Sequence, residues 1–438
     1  MVTSPDTTDR SSWQPILEGD LALSAAAVLD EIVAALEQPA AASSIAPGRL
    51  ISSAEIQASL ALFFAYLASA RPGRGYDDRA LELLAAAIES TGESLASPGL
   101  YGGFTGVAWT LEHLWGRLFV ADDEDPGEEV ASALASHLGH TPWEGEYDLI
   151  GGLVGLGVYA LERAPRPVAE RCLEEALARL AESAERRADG IAWLTPPERM
   201  TKEDAERFPL GNYNVGVAHG VPGVVGLLGE ICAAGRATPE VRSLLAGAVA
   251  WLLAQKLAPG APSIFPYSVA AGVEPSPTRL AWCYGDLGIS TSLLTAARGA
   301  GEPAWESEAL AIARATTARP SDAAGVIDCG LCHGAAGNAH LYNRLYQATG
   351  DPVFRQAAAS WFARMLAWRR PGEDFAGFPS YSPIGPSLEL GWRADAGFLT
   401  GAAGIGLALL AALTPVEPAW DRLLLAAVPP RRPAAAAG

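Results

Sequence analysis

Three side chains stand out for the chemistry they could do together: Cys283, Cys332 and His333. Two thiolates and one imidazole fill three of the four positions that a tetrahedral zinc ion takes, and an open fourth position marks a catalytic rather than a structural centre. The ligands are not clustered as in a zinc finger, since Cys283 lies 49 residues before Cys332. An isolated Cys-His pair is usually a buried small residue beside a satisfied core histidine. What argues otherwise is a repeat that puts both cysteines at equivalent positions.

Six times the chain shows a glycine, two residues, a second glycine and then an apolar run. The pairs are Gly103/Gly106, Gly152/Gly155, Gly220/Gly223, Gly285/Gly288, Gly334/Gly337 and Gly401/Gly404, spaced 49, 68, 65, 49 and 67 residues apart. That spacing suits a helical hairpin with its loops, stacked or ringed so that each unit buries its neighbour's face. Just before each first glycine stand Gly102, Gly151, His219, Tyr284, His333 and Thr400; one place earlier stand Tyr101, Ile150, Ala218, Cys283, Cys332 and Leu399. In a closed ring these positions converge on one point. His219 shares the register of His333 but follows Ala218 rather than a cysteine, so it reads as a proton donor or acceptor and not a ligand. Asp148, four residues before Gly152, is a candidate for the same chemistry or a helix cap. Arg279 could steady developing negative charge or form a surface ion pair. Cys329 completes a Cys-x-x-Cys with Cys332, which could be a redox pair or add a ligand; off the register, it reads as structural or as supporting the metal site. His113, His137, His140 and His340 are also off the register and read as structural.

The elements that must position these residues are helices. Period-2 alternation hardly occurs, whereas helical periodicity is common. In 171–187, Cys172, Leu173, Ala176, Leu177, Leu180 and Ala184 share one face; similar faces occur at 21–36, 54–68, 79–88, 241–257 and 305–315. Amphipathic helices alternating with the apolar Gly-x-x-Gly helices predict two layers, an outer ring half in water and a buried inner ring: an all-α α/α toroid. The glycines are expected to permit sharp turns and close helix approach, and 52–68 reads as a degenerate first repeat without them. Inserts at 194–214 and 371–395 are long enough to cover a ring mouth. One domain over 1–428 is expected, with a disordered Pro/Ala-rich tail at 429–438.

Composition fits this. Of 438 residues half are hydrophobic, mean hydropathy is +0.16, and a net charge of −19 with a pI near 4.8 disfavours nucleic acid and anionic membranes as partners. The uncharged stretch 398–416 carries three glycines and a proline and reads as a core helix, so no transmembrane segment is expected. Five cysteines without a framework spacing, behind a polar first twelve residues, predict free thiols or ligands and a cytoplasmic setting.

Taken together, Tyr147-Asp-Leu-Ile-Gly-Gly152, Ala218-His-Gly220, Arg279-Leu-Ala-Trp-Cys-Tyr-Gly285 and Cys332-His-Gly334, in this order and inside these repeats, resemble the lanthionine synthetase C-like cyclases over roughly residues 50–410. The resemblance implies a double α/α toroid of about seven inner and seven outer helices, with one zinc ion held by Cys283, Cys332 and His333. It places His219, Asp148, Arg279 and Tyr284 at the acid/base and orienting positions and Trp282 against the substrate. The implied reaction adds a peptide cysteine thiol to dehydroalanine or dehydrobutyrine and closes a thioether ring. Zn²⁺ with two thiolates is neutral, so it can draw the proton off an incoming thiol while leaving its sulfur electron-rich. The implied partners are a dehydrated precursor peptide, a separate dehydratase and an export transporter, the last bringing the protein to the membrane periphery. A kinase or dehydratase domain is not expected in a chain of this length.

Three other readings are weighed. A zinc α/α-barrel thiol transferase such as a prenyltransferase subunit would want an Asp-Cys-His set and a basic diphosphate groove. A toroidal glycosidase would need paired carboxylates, for which only Asp148 and Asp286 are candidates. A non-catalytic zinc protein that captures glutathione or a peptide thiol would use the same three ligands.

Overall fold

The computed structural model describes residues 13–42, 52–92, 97–115, 118, 125–384 and 389–430. The first twelve residues, read for an export signal, and the tail beyond 430, expected to be disordered, lie outside them. Sixteen α-helices occur among the described residues: α1 (Gly19–Leu36), the short α2 (Pro39–Ala42), α3 (Ser53–Ala70), α4 (Tyr76–Gly92), α5 (Phe104–Leu114), α6 (Glu128–Leu138), α7 (Leu153–Arg163), α8 (Pro167–Ser183), the short α9 (Lys202–Arg207), α10 (Val221–Ala233), α11 (Pro239–Ala254), α12 (Asp286–Ala300), α13 (Pro303–Thr317), α14 (Ala335–Thr349), α15 (Pro352–Trp368) and α16 (Ala402–Leu413).

Seven of them, α3, α5, α7, α10, α12, α14 and α16, pack each against the next, and α16 packs back on α3, so the inner ring closes. Their sequences say why they are inside. Asp286–Gly299 of α12 and Ala402–Ala412 of α16 are buried without interruption, as a helix with apolar or small residues all round must be. The outer layer is α1, α4, α6, α8, α11, α13 and α15, each burying one stripe. In α8 that stripe is Ala169, Cys172, Leu173, Ala176 and Leu180. The helix stops four residues short of the expected 187, because Ala184 turns to extended backbone and Glu185–Arg187 begins a hairpin. The first repeat is α3, buried nearly all round rather than polar-faced. Its composition would suit a membrane span, but α4, α5 and α16 occupy its sides within the ring.

The Gly-x-x-Gly pairs do something more specific than letting helices approach. None of the six helices they open has a side-chain cap. Instead the preceding loop folds back across the helix start, and its carbonyls accept from the first amides, which no helical turn can satisfy. In α14, Ala335, Ala336 and Gly337 donate to Asp328, Cys329 and Gly330; in α16, Ala402, Ala403 and Gly404 donate to Asp395, Ala396 and Gly397. The second glycine is where the loop crosses. A Cβ there would sit 1.9–2.5 Å from the carbonyl oxygen six residues earlier in all six repeats. Without the glycines, α3 uses a side-chain cap, Ser52 Oγ accepting from the Glu55 amide at 3.2 Å.

Among the described residues seven short strands form three antiparallel sheets. The hairpin β1 (Glu185–Arg187)–β2 (Gly190–Ala192) leads into β3 (Leu194–Thr195), which pairs with β4 (Asn212–Asn214), and β4 pairs with β5 (Ser268–Val269). The insert at 194–214 thus comprises β3, α9 and β4. An excursion at 255–278 that the sequence did not flag joins it through β5. The insert at 371–395 carries the hairpin β6 (Ser380–Ile384)–β7 (Glu389–Arg393).

Candidate metal and acid/base site

The loops before the inner helices meet at one mouth of the ring, linked by backbone hydrogen bonds that join register positions of neighbouring loops at four steps, while at a fifth Leu149, one place before the register, donates to Ala218. Tyr101 donates to Ile150, Ala218 to Cys283, Cys283 to Cys332 and Cys332 to Leu399. This chain of amides converts equivalent sequence positions into neighbours in space. As a result the ligand atoms of Cys283, Cys332 and His333 all lie within 4.8 Å of one another, the one such group of three that the described residues form around Cys or His. Ligands on a tetrahedral zinc, with bonds of about 2.3 Å to sulfur and 2.0 Å to nitrogen, stand about 3.6–3.8 Å apart. The triad needs only a slight contraction to hold the ion.

Its electrostatics agree. The Cys332 thiol donates to Cys283, which against burial and with help from His333 and Arg279 holds Cys283 well below the ordinary thiol value; Cys332 is pushed up in turn. The pair therefore favours negative charge on the Cys283 sulfur over that of Cys332. Burial opposes charge on His333, yet Asp328 and Cys283 hold it up to about 10. Its Nε2 faces Asp328 Oδ2 at 3.2 Å and the Tyr381 carbonyl of β6 at 3.5 Å, which leaves Nδ1 for a metal. Two soft sulfurs and one imidazole, pre-gathered, fit Zn²⁺. Cys329 stands apart, buried, its thiol directed at the Met365 carbonyl at 3.7 Å and pushed up to about 12 by burial and then by Asp328.

His219 Nδ1 lies 2.5 Å from Asp148 Oδ2. Burial disfavours the charged ring, but the Asp148 carboxylate outweighs it and holds His219 above the usual imidazole value. Asp148 also caps its own turn, its other oxygen accepting from the Gly151 amide at 2.9 Å. It is buried at 5 % exposure, while the His219 side chain remains 45 % exposed. Tyr284 stacks on His219 with ring centres 6.2 Å apart and accepts from Asn214 Nδ2 at 2.8 Å. Arg279 is no surface ion pair: its Nε donates to the Tyr267 hydroxyl at 3.1 Å and its charge faces Cys283 and Cys332.

A cavity of about 720 Å³ opens over this mouth. Asp148, His219 and Tyr284 line it, as do Arg199 and Phe208 of the 194–214 insert and Tyr267 of the 255–278 excursion. Trp282 does not line it. Its side chain is 1 % exposed and its indole donates to the Leu424 carbonyl at 2.7 Å, deep in the ring. Asp286, the other carboxylate considered for a glycosidase, accepts both the Ile264 and Phe265 amides and serves to anchor the 255–278 excursion. His113 and His340 bond Glu162 and Asp421 in the interior, and His137 and His140 are exposed, so none of the four joins the site.

The sequence reading missed Asp328, Asn214 and Tyr267. A signal for Asp328 existed: Asp328-Cys-Gly-Leu-Cys-His-Gly-Ala-Ala-Gly337 and Asp395-Ala-Gly-Phe-Leu-Thr-Gly-Ala-Ala-Gly404 carry Asp six places before the first glycine in successive repeats, and Asn214 holds that place before Gly220. Tyr267 comes from an excursion with no periodic signal.

The family profile described as "Lanthionine synthetase C-like protein" matches residues 57–425. Among solved structures the chain is similar to one titled "Nisin cyclase", with a TM-score of 0.67 and 18 % identity, over 93 % of this chain and 98 % of that one.

Proposed function

This chain belongs to the lanthionine synthetase C-like family, and we propose that it is a zinc-dependent lanthipeptide cyclase that closes thioether rings in a dehydrated precursor peptide. The observation that carries this reading is the pairing of a two-cysteine, one-histidine triad with the hydrogen-bonded His219–Asp148 pair at the same mouth. Zinc on Cys283, Cys332 and His333 would supply a Lewis acid that brings a thiol, free value near 8.5, to its reactive anion at neutral pH. The residues of the chain then account for the rest. The substrate sulfur forms a bond to the β-carbon of the dehydro residue, and the π pair moves toward the α-carbon and its carbonyl. Arg279, fixed by Tyr267, faces the charge that develops. His219, held above the usual imidazole value by Asp148, delivers a proton to the α-carbon and regains one from the proton released by the thiol, so that S–H has added across C=C with no redox change. Tyr284, held by Asn214, packs against the His219 ring and limits its orientation. The 720 Å³ cavity beneath the inserts has room for a ring-sized stretch of peptide.

Cyclisation leaves the peptide mass unchanged, so the assay is the loss of alkylatable thiol in a peptide carrying one cysteine and one dehydroalanine. The wild-type protein with zinc should consume the thiol. Cys283→Ala should lose both zinc and turnover, and His219→Ala should keep zinc and lose about 10²–10⁴-fold in rate. Equal turnover by His219→Ala would remove the general-acid assignment, and zinc-bound protein that holds the peptide thiol without consuming it would favour the non-catalytic thiol binder. The free state of all five cysteines suits a reducing compartment, and we place the enzyme in the cytoplasm beside a dehydratase and an export transporter.

A further inference from the structure

Asp328 is buried at 2 % exposure, yet neither of its carboxylate oxygens makes a well-aligned hydrogen bond. The group within reach is the His333 imidazole, its Nε2 3.2 Å from Oδ2. A desolvated carboxylate without a strong donor is costly, and the next repeat shows what this loop does when nothing else is asked of it. There Asp395, in the same place, accepts from Thr400 Oγ1 at 2.6 Å and from the Gly397 amide at 2.7 Å, and is satisfied. Thr400 stands where His333 stands. The loop geometry therefore aims the Asp side chain at the residue before the first glycine, and in the Cys332–His333 loop that residue is a ligand candidate.

We propose that Asp328 is a positioning residue of the metal centre: it accepts the Nε2–H of His333, fixes the ring so that Nδ1 faces Cys283 and Cys332, and raises the donor strength of that nitrogen. The Tyr381 carbonyl at 3.5 Å is the competing acceptor, but it is farther and uncharged, and a hydrogen bond to a carboxylate is about twice as strong. Gly334 supports the arrangement, because a Cβ there would lie 2.4 Å from Asp328 Oδ1 and push the carboxylate off. The inference rests on the metal reading of the triad given above.

The test compares zinc affinity of the wild type, Asp328→Asn and Asp395→Asn by competition with a chromogenic chelator. Asp328→Asn should bind zinc about 10–100-fold more weakly. Asp395→Asn should lower the melting temperature while leaving zinc affinity within about threefold. Wild-type affinity in Asp328→Asn, or an equal loss in Asp395→Asn, overturns the proposal. A measurement on the wild type alone guards against a variant that fails to fold: ¹⁵N-histidine NMR of the zinc-loaded protein should show His333 bound through Nδ1 with a proton on Nε2, and binding through Nε2 overturns the proposal. Wild-type protein that takes up no zinc is a separate result, which fails the metal reading itself.

Discussion

Replacing Gly337 by alanine tests whether the loop-over-helix crossing is what holds the ligands. The new Cβ would lie 1.9 Å from the Leu331 carbonyl oxygen and 2.7 Å from its carbon, both backbone atoms that no rotamer change can clear. Restoring contact near 3.2 Å moves the loop by about 1.3 Å. That displacement breaks the Ala336-to-Cys329 and Gly337-to-Gly330 hydrogen bonds, each 3.2 Å long. Overpacking of this kind costs about 1–3 kcal/mol and each lost bond about 1 kcal/mol, while alanine in a helix returns about 1 kcal/mol. The net loss is about 2–4 kcal/mol. For a chain of this length the unfolding entropy is about 0.9 kcal/mol per kelvin, so the melting temperature falls by about 2–4 °C. Cys332 and His333 ride on the displaced loop while Cys283 does not, so zinc affinity should fall about tenfold or more as well. Gly404→Ala is the control. Its Cβ meets the Phe398 carbonyl at the same 1.9 Å, but its loop carries no ligand, so stability should fall equally with little effect on zinc. Scanning calorimetry and chelator competition on both variants decide the matter. A Gly337→Ala protein with wild-type melting temperature and zinc affinity would refute the argument.

Asp148→Asn removes the carboxylate that raises His219. A group that must be protonated to act loses activity as pH rises through its folded value, so the basic limb of the pH–rate profile should move to lower pH in the variant; an unmoved limb would detach Asp148 from the proton donor. Tyr267→Phe takes away the acceptor of the Arg279 Nε–H and should cost about 1 kcal/mol, roughly fivefold in kcat/KM, with zinc content unchanged; loss of zinc instead would mean that Arg279 and Tyr267 support the ligands. Trp282→Phe removes the bond to the Leu424 carbonyl and should lower stability by about 1–3 kcal/mol while leaving KM for the peptide near that of the wild type, whereas a raised KM at unchanged stability would restore Trp282 to the substrate surface.

Much of the architecture was legible because it rests on local pattern. Helices apolar all round, such as α16, can only be interior, and striped ones such as α8 can only be half exposed, so two layers followed from periodicity. The glycine repeat marked six of the seven units, and the glycine-free segment 52–68 was read as the degenerate first. The end of α8 was misplaced because Glu185–Arg187 continues its polar pattern and only pairing with Gly190–Ala192 makes a hairpin of it. The excursion at 255–278 was missed because a two-residue strand leaves no period, and its identity depends on partners 54 and 56 residues away in the chain.

The sequence by itself determined the chemistry available: two cysteines and a histidine at equivalent places in a repeat, with His219 one register step away, already restrict the site to soft-metal binding and proton transfer. Side-chain identity and repeat spacing are properties of the chain, and a ring converts spacing into proximity. Only the tertiary structure decided how the parts are wired. That Asp148 faces His219, that Tyr267 holds Arg279, that Trp282 turns into the core and that Asp328 lies behind His333 all depend on which loop crosses which helix start. Those crossings are fixed by backbone carbonyls meeting amides and by the absence of a Cβ at one point in each repeat, and neither carries a side-chain signature of its partner.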